Sequence, residues 1–128
     1  MVRTLLLIGV GSFLGGICRY LLQQSVQRWF PSAMPWGTFW VNVTGCFAIG
    51  IVYALAGRSN LLSPEIRLFL ATGICGGFTT YSSFAYENVA LLLNRDYYYP
   101  LLYVFLSIVV GFAAVFAGLF VTKVLLRS

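Results

Sequence analysis

The densest run of groups able to do chemistry reads Thr72-Gly73-Ile74-Cys75-Gly76-Gly77-Phe78-Thr79-Thr80-Tyr81-Ser82-Ser83-Phe84. Gly73, Gly76 and Gly77 are poor helix formers, while Thr79, Thr80, Ser82 and Ser83 bring four hydroxyls. The run sits in the middle of a long apolar segment. A helix broken there frees backbone carbonyls and amides away from water, which is tolerated only where protein, water or an ion satisfies them. Broken helices of this kind build ion sites at mid-membrane depth. Close helix packing is the other use of such glycines; the added hydroxyls favour a functional break.

Other polar residues fall at helical spacing. Thr38 and Asn42 are four apart, with Gly45 a turn further on. An asparagine within an apolar helix must bond across helices or face water, so Asn42 is either a link between helices or pore lining. Asn42-Val43-Thr44 also fits a glycosylation sequon, unusable inside a membrane span. Thr80, Ser83 and Glu87 share one helix face, with Tyr81 and Phe84 as aromatics beside them. Tyr103, Ser107, Gly111, Ala114 and Gly118 form a later stripe, polar at one end and small along its length. Gly11 and Gly15 make a GxxxG pair suited to close helix contact. Arg19, near the end of the first apolar stretch, would reach the interface, cap carbonyls or attract an anion.

These residues need elements to hold them, and composition says which kind. Of 128 residues 60% are hydrophobic and 9% charged, against roughly 25% charged in a soluble domain. So few ionisable groups cannot clothe a water-facing surface, which excludes soluble enzymes and disordered tails. The net charge is +5, but the basic residues are scattered near the ends of apolar stretches, not clustered as a nucleic-acid interface requires. An integral membrane protein is expected. Four stretches match the roughly 20 residues that cross a hydrocarbon core: Leu5 to Leu22, Trp36 to Ala56, Pro64 to Leu93 and Tyr97 to Thr122. The expected fold is an all-α, four-helix transmembrane domain over residues 1–128, its third helix broken near Gly73–Thr80.

The connections carry the punctuation. Pro31 and Pro35 stop helices, and Trp29 and Trp36 suit the interface. Gly57-Arg58-Ser59-Asn60 ends the second span, and Ser63-Pro64-Glu65 supplies an N-cap, an N1 proline and a first-turn acid. Asn94-Arg95-Asp96 turns into the fourth span through Tyr97, Tyr98 and Tyr99. A cleaved signal is not expected, because Ile17 is bulky where a small residue is needed and three further spans follow. Cys18, Cys46 and Cys75 lie in apolar sequence with no partnering His, so each reads as a small core hydrophobe. Four spans put both termini on one side, with Arg3, Arg58, Lys123 and Arg127. Arg28 and Arg95 face the other. The bias is mild, favours termini inside, and leaves both orientations open.

Three motifs in order then carry a resemblance. Gly11-x-x-x-Gly15-x-x-x-Arg19-Tyr20, Pro35-x-Gly37-Thr38-x-x-x-Asn42-x-x-Gly45 and Gly73-x-Cys75-Gly76-Gly77-x-Thr79-Thr80-x-Ser82-x-Phe84 resemble the Fluc/CrcB fluoride channels. The resemblance spans the whole chain. It implies a passive fluoride exporter in the bacterial cytoplasmic membrane, built as an antiparallel, dual-topology homodimer with two pores. It also implies a structural Na+ at the dimer interface, held by backbone carbonyls that map onto Gly76 and Thr79. Fluoride contacts map onto Asn42, Tyr81 and Phe84. The path lining fits Thr38, Thr80, Ser83, Glu87, Tyr103 and Ser107, with Arg19 attracting anions at the vestibule. Where the family usually shows Thr-Thr-Phe-Ser, this chain has Thr79-Thr80-Tyr81-Ser82.

Two other classes share the size. A proton-coupled multidrug exporter needs a membrane-buried carboxylate, for which Glu87 is the sole candidate, since the first, second and fourth spans carry none. A structural subunit would leave the Thr/Ser cluster without a use.

Overall fold

Long charge-free runs between proline- and glycine-marked turns leave the backbone one way to satisfy itself in lipid, as helix. The computed structural model, which describes residues 1–58 and 61–127, is helical along its spans with one interruption. Ser59 and Asn60 of the expected second turn, and Ser128, lie outside the described residues. Helix α1 is Val2–Trp29 and α2 is Trp36–Ala56. The third span comprises α3 (Pro64–Arg67), a π-helical stretch π1 (Leu68–Cys75), α4 (Gly76–Phe78) and α5 (Tyr81–Leu93). Helix α6 is Tyr98–Arg127. Helices α1, α2 and α6 are long and apolar enough to cross a membrane, and the third span is interrupted at Thr79 and Thr80. This is a multi-pass, all-α membrane protein.

Two boundaries extend past the apolar runs. With 28 residues α1 reaches about 42 Å, more than the roughly 30 Å of hydrocarbon it must cross. Its last two turns, with Gln23, Gln24 and Gln27, therefore project beyond Leu22. Helix α6 likewise runs on to Arg127. The caps follow the sequence: Ser63 Oγ accepts from the Ile66 amide at 3.2 Å, with Pro64 at the first helical position, and Asp96 Oδ1 accepts from the Tyr99 amide at 3.1 Å. Arg95, at φ 61, closes α5 as the left-handed residue, while the amides of Arg95 and Asp96 donate to Leu92 O and Leu91 O.

Helix α1 packs on π1 and α4, and α2 packs chiefly on α6. Both seams are made of glycine. A Cβ on Gly15 would stand 2.2 Å from Ile74 O, and one on Gly11 2.9 Å from Gly73 Cα. Between α2 and α6, a Cβ on Gly50 would meet Val115 O at 2.4 Å and one on Gly118 would meet Phe47 O at 2.3 Å. The backbones touch, as close packing without a hydrophobic driving force requires.

The break itself differs from the expectation in one respect. Gly73, Gly76 and Gly77 do not interrupt the helix; they lie within π1 and α4, and Gly73 and Gly77 serve as contact surface against Gly11 and Ser12. The chain leaves the helix at two threonines, Thr79 (φ −79, ψ 157) and Thr80 (φ −147, ψ 120). Extended backbone suits β-branched residues. The cysteines also divide: Cys75 is buried and Cys46 half-buried, but Cys18 is exposed on the outer side of α1, so it does not serve as a core residue of this chain.

Candidate functional site: the broken span and its polar line

A helix that stops at Phe78 and restarts at Tyr81 must dispose of its end groups. Asn42, on α2, takes both backbone groups of Thr80: its Nδ2 donates to Thr80 O at 3.0 Å, and its Oδ1 accepts from Thr80 N at 2.8 Å. The side-chain amide thus acts like a neighbouring strand, and one Nδ2 hydrogen remains uncommitted. Thr80 caps α5 by accepting from Ser83 N at 3.2 Å, and Thr79 returns its hydroxyl to Cys75 O at 2.9 Å. Gly45 gives Thr79 room, since a Cβ there would overlap its Cγ2 at 2.1 Å.

Several backbone groups stay unpaired among the described residues. The amides of Thr79 and Thr80, which could otherwise close onto Gly76 O, go to Cys75 O and Asn42 Oδ1. Ser83 N, which could reach Thr79 O, goes to Thr80 Oγ1. Gly76 and Thr79 therefore present carbonyls without donors, and of the first amides of α5 those of Tyr81 and Ser82 have no partner before them. Gly76, Thr79, Thr80, Asn42 and Tyr81 line one cavity of about 360 Å³. Bare carbonyl oxygens are hard, neutral ligands suited to Na+, so the donor set fits the ion that the family resemblance implies. Among the described residues no cluster of His, Cys, Asp or Glu could hold a metal instead.

Arg19 turns inward. Its Nε donates to Gly77 O at 3.3 Å and its Nη1 to Gln23 Oε1 at 3.5 Å, so it caps a carbonyl of the third span. From there a hydrogen-bonded line runs between helices. Gln23 Nε2 donates to Thr38 Oγ1 at 2.9 Å, Thr38 Oγ1 donates to Glu87 Oε1 at 2.5 Å, and Tyr103 Oη donates to Glu87 Oε2 at 3.4 Å. Thr38 and Glu87 also line a cavity of about 350 Å³ with Gln23, Gln27 and Ser32.

The aromatic residues divide between outside and core. Tyr81 is 81% exposed, so its hydroxyl needs no partner within the chain. Its ring lies 6.0 Å from that of Phe84, which meets Tyr103 edge-on at 4.9 Å. Tyr103 is fully buried among Met34, Phe39 and Phe84, and only its hydroxyl reaches the polar line. Ser107 Oγ is buried without a partner among the described residues, and Ser83 is half-buried beside the Thr80 cap.

Gln23 is the participant the sequence reading passed over. It lies just beyond Leu22, where the apolar run stops. The available signal was its register: Gly11, Gly15, Arg19, Gln23 and Gln27 recur every four residues along one face of α1. Because Gln23 occupies Thr38 as donor, Thr38 is directed to donate to Glu87. We expect Gln23→Leu to lose about 1 kcal/mol of stability and Gln23→Glu to lower anion flux further, by placing a second carboxylate beside Glu87. Flux measured in liposomes orders the three proteins; a Gln23→Glu variant that conducts like the parent would take this cavity off the ion's route.

The arrangement defines a class: a small polytopic membrane protein whose interrupted span and polar line suit ion passage. Residues 6–119 match the family described as "CrcB-like protein, Camphor Resistance (CrcB)". The chain is 48% identical over 119 residues to the "Fluoride-specific ion channel FluC" of Gloeothece citriformis, covering 93% of this chain and 96% of that one. It is 44% identical over 126 residues to the protein of that name from Chlorobium phaeobacteroides, covering 96% and 95%. With that from Leptospira interrogans it shares 43% over 121 residues, covering 94% and 95%. The chain belongs to the CrcB family, whose members so named are channels and not enzymes.

Proposed function

We propose that the protein is a passive, fluoride-selective channel that exports the ion from the bacterial cytoplasm across the inner membrane. The observation that carries this is the break at Thr79 and Thr80, pinned by Asn42, at the head of a polar line. The names of its relatives agree with it. Fluoride is small and strongly hydrated, so a pore must replace its water with strong donors. The uncommitted Asn42 hydrogen, the first amides of α5 and the hydroxyls of Thr80 and Ser83 can do so. The ring edges of Tyr81 and Phe84 carry positive quadrupole charge and can face an anion edge-on. Thr38, Glu87, Tyr103 and Ser107 continue the lining, and Arg19 adds a positive charge near its mouth.

In this reading the working unit is an antiparallel homodimer with two pores. The carbonyls of Gly76 and Thr79 from each copy hold a Na+ on the axis, where it supplies a fixed positive charge and ties the two breaks together. Arg67 stands with Arg3, Arg58, Lys123 and Arg127 at the end of the chain's termini, against Arg28 and Arg95 opposite. Termini-inside is therefore the favoured orientation, and antiparallel pairing requires the other as well.

Purified protein in liposomes loaded with fluoride and read with a fluoride electrode tests the function. The expected result is passive efflux that does not need a proton gradient. Proton flux driven by an organic cation would select the exporter built on Glu87 and overturn the channel. Exchange of Na+ for a bulky organic cation is expected to slow the efflux; flux unchanged after exhaustive Na+ removal would reject the ion. Cysteine labelling from both sides of the membrane reads orientation, and labelling from one side alone would reject dual topology.

A further inference from the structure

At the end of the molecule away from the Glu87 cavity, the C-termini of α2 and α6 come together around a cavity of about 450 Å³. Arg58, Lys123 and Arg127 line it, together with Tyr53, Gly57 and Leu119. Among the described residues no carboxylate lines it. Of the chain's three acids, Glu87 and Asp96 belong to the opposite end, and Glu65 on α3 stands outside the lining.

Basic residues near helix C-termini have an ordinary use, since each terminus carries about half a negative charge. Two termini offset about one positive charge, yet three cations converge here. Counting the described residues, about two positive charges are left over, held on two helices whose backbones are in contact at Gly50 and Gly118 and so cannot spread apart. An anion with one or two negative charges completes the balance.

We propose that this cavity binds the phosphate headgroup of an anionic phospholipid. The surroundings select lipid over a free phosphate from solution. The cavity opens at the ends of two membrane-length helices, and Tyr53, Ala54 and Leu119 give it an apolar side from which an aqueous anion gains nothing. Tyr53, half exposed at 56%, has the amphipathic ring that settles at the headgroup level. Basic pockets between transmembrane helices are suited to acidic headgroups. Arg58 and Arg127 bring forked donors to the phosphate oxygens, and Lys123 adds a point charge.

The test uses the purified protein in a neutral detergent, titrated with phosphatidylglycerol, phosphatidylcholine or inorganic phosphate, with unfolding followed by tryptophan fluorescence on heating. Phosphatidylglycerol is expected to raise the midpoint by several degrees, and the other two to leave it unmoved. The combined variant Arg58→Gln, Lys123→Gln, Arg127→Gln is expected to lose that shift, while Arg28→Gln at the opposite end keeps it. Should the combined variant not fold, Lys123→Gln alone is expected to reduce the shift by about half. A full shift in either variant of the cavity overturns the site. An equal response to inorganic phosphate overturns the assignment to lipid.

Discussion

Asn42→Asp is expected to leave a folded protein whose fluoride flux has fallen at least about tenfold. The substitution keeps size and shape but exchanges the Nδ2 donor for a second carboxylate oxygen. The hydrogen bond from Thr80 N to Oδ1 survives, so the break is not released altogether. The bond from Nδ2 to Thr80 O is lost, and the carbonyl then faces an oxygen that repels it. Losing that hydrogen bond at a half-buried carbonyl costs about 1 kcal/mol, which lowers the unfolding midpoint without preventing folding. The effect on an anion is larger. A negative charge replaces the only uncommitted side-chain amide hydrogen at the break, in a setting where water screens poorly. Flux by fluoride electrode and midpoint by thermal unfolding are read together. A lowered midpoint with near-normal flux would leave Asn42 with helix pairing as its whole role.

The sequence was a better guide to where the site lies than to what makes it. The Ser63 cap and the GxxxG contact follow from local pattern, and each appears in the structure where Ser63, Gly11 and Gly15 put it. The break was legible as a region but attributed to the wrong residues. Glycine has two uses, conformational freedom and absence of volume, and local sequence does not separate them. The partner helix decides: α1 comes so close to Gly73 and Gly77 that their missing side chains are the point, while two threonines take the extended backbone. Tyr103 shows a similar limit. Its place in a polar stripe marks its hydroxyl, which joins Glu87, but does not show that the ring packs in the core. Gln23 went unread because an apolar-run criterion ends at Leu22, although the helix and its four-residue register continue.

Gly15 and Gly16, identical neighbours in sequence, are expected to respond in opposite directions to the same substitution. A Cβ on Gly15 would lie 2.2 Å from Ile74 O and 3.0 Å from both Ile74 C and Phe78 N. All three are backbone atoms, so no rotamer change relieves the overlap and α1 must move off the third span. Overpacking of this kind costs about 1–3 kcal/mol. Gly16 meets nothing within 4 Å, and an alanine there gains about 0.5–1 kcal/mol of helix preference. That preference is common to both positions, so the two variants should differ by the overpacking cost, roughly 1–3 kcal/mol, with Gly15→Ala below the parent in unfolding midpoint and Gly16→Ala at or above it. The displacement in Gly15→Ala also reaches the site. Ile74 and Phe78 bracket the carbonyl of Cys75 that anchors Thr79, and Gly77 O is the acceptor for Arg19. Flux should fall with stability in that variant and hold in its neighbour. If Gly15→Ala were as stable as Gly16→Ala, α1 would not be in register against π1, and the contact that places Arg19 beside the break would have to be redrawn.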